Sequence, residues 1–239
     1  MDNDYLIKKP PLQALFLFAL PMIIGNLFQQ TYTMVDSAIV GRYVSEQALA
    51  AVGASYALTN IFICVAIGGG IGASVIVSRY FGAKEYGRMK TAVFTALLSF
   101  LGISLVLGVA GLVLGKQIMI WLNTPQDCLD MAAQYLRIYF FGMPVLMIYN
   151  FGAALLRAVG DTRRPLYFLF AAGAVNVVLN LFFVIQLGMG VDGVAWATVI
   201  SECVSAGLII RSLMKERGAM KLHLSKLRVV PEKLKSVIT

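Results

Sequence analysis

The chain has 239 residues, of which 59% are hydrophobic and 13% charged. A water-soluble domain carries about 45–50% apolar and about 25% charged residues, so the composition excludes one and points to a bilayer. The formal net charge of +8 invites a nucleic-acid reading, but the basic residues follow the parity of the loops instead of clustering on one face with aromatics between them, and no nucleic-acid partner is expected.

Six apolar runs follow one another, at residues 12–40, 48–77, 91–114, 131–156, 166–187 and 193–213. Each reaches the roughly 20 residues that a helix needs to cross about 30 Å of hydrocarbon. The runs are continuous and do not alternate over about ten residues as barrel strands would. The expected fold is an all-α polytopic membrane protein, with six transmembrane helices in residues 1–214. The first run follows Lys8 and Lys9. It is too long for the apolar region of a signal peptide and shows no A-x-A site, so it reads as a permanent span.

The connections carry the topology. With the N-terminus cytoplasmic, all of the 20 basic residues except Arg42, Lys116 and Arg137 fall on the cytoplasmic side. That asymmetry is the positive-inside bias, and it puts both termini of the segment in the cytoplasm. "RAVGDTRRP" at 157–165 has the chemistry of a tight helix-to-helix turn. Gly160 can end one helix in a left-handed conformation, Asp161 or Thr162 can cap the next, and Pro165 is tolerated in its first turn. "GGGIG" at 68–72 and the Gly111–Gly115 pair read as small-residue contacts between helices. Residues 215–239 alternate basic and apolar side chains without a span. They read as a cytoplasmic linker, or as an amphipathic segment on an anionic leaflet.

The first run also carries Asn26, Gln29, Gln30, Thr33 and Asp36. Their spacing lines one helical face, opposite Leu27, Met34 and Val35. The fifth run repeats the device with Asn176 and Asn180, one turn apart. Tyr135, Tyr139, Asn150, Thr198 and Glu202 add polar groups from other spans. Exposed to lipid, such groups would each cost kilocalories, so the faces are expected to converge on a hydrated cavity. Asn26, Gln29, Gln30, Thr33, Asn150 and Glu202 are its candidate substrate-facing residues. Asp36 and Glu202 are the acidic residues well inside spans, and a carboxylate at the bilayer centre costs about 2.5–3.5 kcal/mol or more. Asp36 reads either as an exchanging group in a dry site or as a residue near the outer mouth within reach of water. Glu202 has no clear basic partner. Pro21 removes a hydrogen bond from the first helix, and is either a bending point or a static proline. The three cysteines supply no disulfide framework. The single histidine, His223, lies in the tail, and no nucleophile–base pair or metal-ligand cluster appears, so an enzyme is not expected.

Three stretches, "ALPMIIGNLFQQTYTMVDSAIVGRY", "RAVGDTRRP" and "NVVLNLFFVIQLGMGVDGVAWATVIS", resemble the MATE (multidrug and toxic compound extrusion) family along the whole chain. The resemblance implies a twelve-helix, two-lobe transporter of which this chain is the N-terminal half, a missing C-terminal lobe as partner, small organic substrates, and a bacterial inner membrane. It implies cation-coupled export of amphipathic, often cationic compounds, with H+ or Na+ as the coupling ion and no other cofactor. Asp36 falls on the family's coupling aspartate and Pro21 on the proline tied to bending of the first helix. Tyr135, Asn176 and Thr198 fall on the hydrogen-bond network around that aspartate. Asn180 departs from members that carry a second carboxylate there. A flippase for lipid-linked precursors is the alternative within the same superfamily.

Overall fold

The computed structural model describes residues 10–215. The basic positions Lys8 and Lys9 and the linker reading beyond Lys215 lie outside the described residues. Within them the chain forms α1 (Pro11–Tyr43), α2 (Glu46–Gly82), α3 (Tyr86–Trp121), α4 (Gln126–Ala158), α5 (Arg163–Leu181), a π-helical turn (Phe182–Gln186) and α6 (Gly190–Lys215). Counting α5 with its π turn, all six are long and apolar enough to cross a membrane. The first four have 33 to 37 residues, about 50–55 Å at 1.5 Å per residue. They outrun the apolar stretches read from the sequence at both ends, and among the four only α2 has a side-chain N-cap bond.

Local chemistry sets the helix ends. Only Val44 and Ser45 separate α1 from α2, and the Ser45 hydroxyl accepts from the Ala48 backbone N–H at 3.0 Å, an N-cap beside Glu46. Gly160 turns the chain out of α4 at φ 86. Asp161 then accepts from the Arg164 backbone N–H at 3.1 Å and pairs with the Arg164 Nε at 2.9 Å. Of the two capping candidates, Asp161 acts; Thr162 makes no side-chain cap. α1 continues without interruption through Pro21, as α4 does through Pro144.

The helices α1, α2, α4, α6 and α5 close into a ring, each packed on the next and α5 returning to α1, while α3 packs outside it against α2 and α4. One end of the bundle carries Arg79, Lys84, Arg88, Arg157, Arg163, Arg164 and Arg211 and is called the basic end below; the far end carries the α1–α2 and α3–α4 connections. Glycines let the helices meet closely. A Cβ on Gly152 would stand 2.4 Å from Ile209 Cγ2, and one on Gly111 would stand 2.6 Å from the Phe140 ring. Gly115 faces the same ring, so the Gly111–Gly115 pair packs as read. In the 68–72 stretch, Gly68 opens on empty space, whereas Gly69 lies against the Phe100 ring and Gly70 packs on Asn150 and Ala154. Large apolar side chains on the outside, among them Leu12, Phe16, Val106, Val109 and Val113, are mostly exposed, as lipid contact requires.

Candidate functional site

Toward the far end of the ring, α1, α5 and α6 bring four polar side chains together. Asn180 is fully buried, and its Nδ2 donates to Asp36 Oδ1 at 2.6 Å and to Asn176 Oδ1 at 3.1 Å. Asn176, 1% exposed, reaches Thr198 Oγ1 with its own Nδ2 in a long contact of 3.5 Å. The Thr198 hydroxyl is anchored to the Val194 carbonyl one turn back at 3.0 Å. The chain of contacts therefore runs from Asp36 through both amides to α6. A hydrogen bond from an amide to a carboxylate is among the stronger neutral–ion contacts.

The Asn176 amide also faces Asp36: with its nitrogen turned toward the carboxylate it lies 2.9 Å from Oδ1 and 3.0 Å from Oδ2, within donating distance of both. Asn180 Oδ1 is buried without a protein partner among the described residues.

Just beyond Asp36, toward the far end, the bundle is dry. Ile39 and Val40 of α1, Ala48 of α2, Val184 of the π turn, and Val191 and Val194 of α6 form one buried apolar cluster, with Tyr135 and Met131 of α4 against it. Asp36 precedes Val40 by four residues and Asn180 precedes Val184 by four, so this cluster caps the amide–carboxylate pair by about one turn on both helices. Asp36 itself is half-buried beneath this apolar cluster.

The other candidate residues divide. Tyr135 sits beside the Asp36 network without hydrogen-bonding to it, packed in the apolar cluster and stacked on Tyr139 at 6.2 Å and 17°. Thr33 is half-buried and bonds to the Gln29 carbonyl of its own helix. Asn26, Gln29 and Gln30 are exposed on α1. Asn150 is half-buried on α4 and donates to the Leu146 carbonyl. Glu202 is half-buried on α6, one turn from Thr198. Pro21 lies fifteen residues before Asp36, about 22 Å along α1, and touches none of the network. Tyr32, half-buried one turn from Asp36, is an interior residue that the polar pattern did not single out; its four-residue spacing from Asp36 was the available signal.

Comparison with known proteins gives this arrangement a family. The MatE family model matches residues 21–204. The chain is 31% identical over 211 residues to the probable multidrug resistance protein YoeA of Bacillus subtilis, covering 86% of this chain and 45% of that one. It is 24% identical to the multidrug export protein MepA of Staphylococcus aureus, over 98% of this chain and 52% of the relative. A solved MOP superfamily transporter from Pyrococcus furiosus superposes with a TM-score of 0.91 at 25% identity, covering 100% of this chain and 53% of that chain. The chain thus spans about half the length of the relatives it matches, and those relatives are transporters, not enzymes. It is a multi-pass membrane protein that belongs to the MATE family, and its six helices form one lobe of that transporter fold.

Proposed function

We propose that this lobe is the N-terminal half of a cation-coupled antiporter that exports amphipathic, often cationic, organic compounds, with Asp36 as the coupling group. The observation that carries the reading is the Asp36 carboxylate held at 2.6 Å by Asn180 under an apolar lid. A carboxylate in a dry bundle is costly unless its charge is compensated. A proton or a Na+ ion supplies that compensation. When the ion leaves, the Asn180 and Asn176 amides donate to the bare carboxylate. The amides thereby make the bare state of Asp36 tenable, which a coupling site needs in order to release the ion.

The basic end faces the cytoplasm in this reading, in accord with the positive-inside bias, in a bacterial inner membrane. The ion enters while the protein faces outward and is released inside. The second lobe, contributed by the other half of a protein of the relatives' length, completes the substrate cavity. One charge crossing about 100 mV is worth about 2.3 kcal/mol, enough for roughly 50-fold accumulation. The test is Asp36→Asn in the full-length protein, reconstituted in vesicles with an imposed ion gradient. Ion-driven export should fall at least tenfold, while gradient-independent substrate binding remains. Undiminished ion-driven export would rule Asp36 out.

The flippase alternative is not favoured. A lipid-linked pyrophosphate calls for a cationic cavity, whereas Asp36 and Glu202 are the half-buried charges inside the spans and Arg137 is exposed toward the far end. YoeA and MepA, moreover, are described as multidrug proteins.

A further inference from the structure

Two separate fastenings hold α1 in the lobe. Besides Ala14 near its start, its buried residues are Gly25, Ile39 and Val40. The last two belong to the apolar lid beyond Asp36. The other fastening lies on α5, on the opposite side of Asp36 along the helix. A Cβ on Gly25 would meet Leu166 Cδ1 at 3.3 Å. Three residues on, the Phe28 ring stands edge-on to Phe170, with centroids 4.4 Å apart at 74°, and meets Tyr32 at 5.9 Å and 62°. Both rings lean over Gly173, where a Cβ would stand 2.6 Å from Phe28 Cε1 and 3.2 Å from Tyr32 Cδ1. Phe28, Tyr32 and Asp36 follow at four-residue steps on α1, and Gly173, Asn176 and Asn180 share a face of α5. The ring seat and the bond from Asn180 to Asp36 are thus two contacts of one helix–helix seam, about 11 Å apart along it.

We propose that Gly173 is a positioning residue for Asp36: its missing side chain seats the rings of Phe28 and Tyr32 and so sets how closely α1 lies on α5 where Asp36 meets Asn180. Carbon atoms rest about 3.5–4.0 Å apart, so a side chain at 173 asks the Phe28 ring to withdraw by about 1 Å for alanine. Phe170 and Tyr32 flank that ring and keep it from tipping aside, so the retreat passes to the α1 backbone. Phe28 lies twelve residues from Val40 and Asp36 lies four, so with the lid fixed about a third of the displacement reaches Asp36. Alanine then stretches the 2.6 Å bond by about 0.3 Å, which a hydrogen bond survives. Valine, whose outer carbons stand about 1.5 Å further out, moves Asp36 by about 0.8 Å and takes the contact past the usual range of about 2.7–3.2 Å. The role in export rests on Asp36 being the coupling group, as read above, whereas the hold on the Asn180 bond stands without it.

Double-variant cycles on the full-length protein measure this hold directly. The departure from additivity between Asp36→Leu and Asn180→Leu, read from unfolding in detergent micelles, should shrink in the order Gly173, Gly173→Ala, Gly173→Val, and by at least half in the last. Phe28→Ala, which empties the seat, should restore most of that departure when combined with Gly173→Val. Phe28→Trp overfills the seat from the α1 side; it should act like Gly173→Val and decides the matter if Gly173→Val does not fold. Gly152→Ala, an equally crowded change between α4 and α6, should lower stability yet leave the Asp36–Asn180 departure intact. An undiminished departure in Gly173→Val or Phe28→Trp, no recovery with Phe28→Ala, or an equal loss in Gly152→Ala would overturn the proposal. In vesicles, Gly173→Val should lose ion-driven export several-fold while keeping gradient-independent substrate binding, and Phe28→Ala should recover the export. Undiminished ion-driven export in Asp36→Asn would refute the coupling role alone, since the cycles read the seat without transport.

Discussion

Replacing Asn180 by leucine, close to it in shape, removes the amide that donates to Asp36 at 2.6 Å and to Asn176 at 3.1 Å without opening a large cavity. A hydrogen bond to a charged group is worth about 1.5–3 kcal/mol and a neutral one about 1 kcal/mol. Asn180→Leu should therefore cost about 2.5–4 kcal/mol. Asp36→Leu removes the same bond from the other side and leaves the buried Asn180 N–H with one acceptor fewer, a cost of about 1–3 kcal/mol. The double variant replaces both partners by apolar groups, a change that can be nearly neutral for the pair itself. Its cost should fall short of the sum of the single costs by about 2 kcal/mol. Unfolding of the full-length variants in mixed detergent–dodecyl sulfate micelles supplies the four free energies of the cycle. Additivity within about 0.5 kcal/mol, the behaviour of residues that do not touch, would refute the claim that this bond organises the site.

The close approach of α4 to α6 gives a second test. A Cβ on Gly152 would meet Ile209 Cγ2 at 2.4 Å, an atom fixed near the α6 backbone, so Gly152→Ala should destabilise by about 1–3 kcal/mol, and Ile209→Ala in the same chain should recover part of that loss in the same unfolding assay. Asp161→Ala removes both the cap on Arg164 N–H and the ion pair with the largely buried Arg164 side chain; losing the cap alone costs about 1 kcal/mol, and the melting temperature should fall accordingly, with Asp161→Asn, which keeps the cap, falling less.

Much of this molecule is legible in the residues because the bilayer imposes few options. Runs of apolar residues can only be helices or barrel strands, and Asn176 and Asn180, one turn apart in an apolar run, had to face a polar partner. Asn180 is legible as half of that polar pair and as a residue that does not ionise; its role as direct donor to Asp36 depends on how α5 rotates against α1, which spacing within one helix does not encode. The apolar lid was hidden for a related reason. Ile39, Ala48, Val184 and Val194 come from four elements, and each is ordinary in its own run. The π-helical turn at Phe182–Gln186, next to Asn180, has no compositional mark. Gly70 could not be told from Gly68 as a packing residue, because three glycines in a row satisfy any small-residue spacing.

The two-residue link between α1 and α2 has a mechanical consequence. With only Val44 and Ser45 between Tyr43 and Glu46, and with Ile39 and Val40 wedged into the apolar cluster, α1 is pinned at its far end like a lever on a fulcrum. A swing of about 10° would carry the opposite tip, about 50 Å away, through roughly 9 Å, yet displace Asp36, about 10 Å from the pivot, by only about 2 Å. That short throw is enough to part a 2.6 Å contact, so a wide gate at the basic end and the making or breaking of a single bond to Asn180 can be the same rigid stroke.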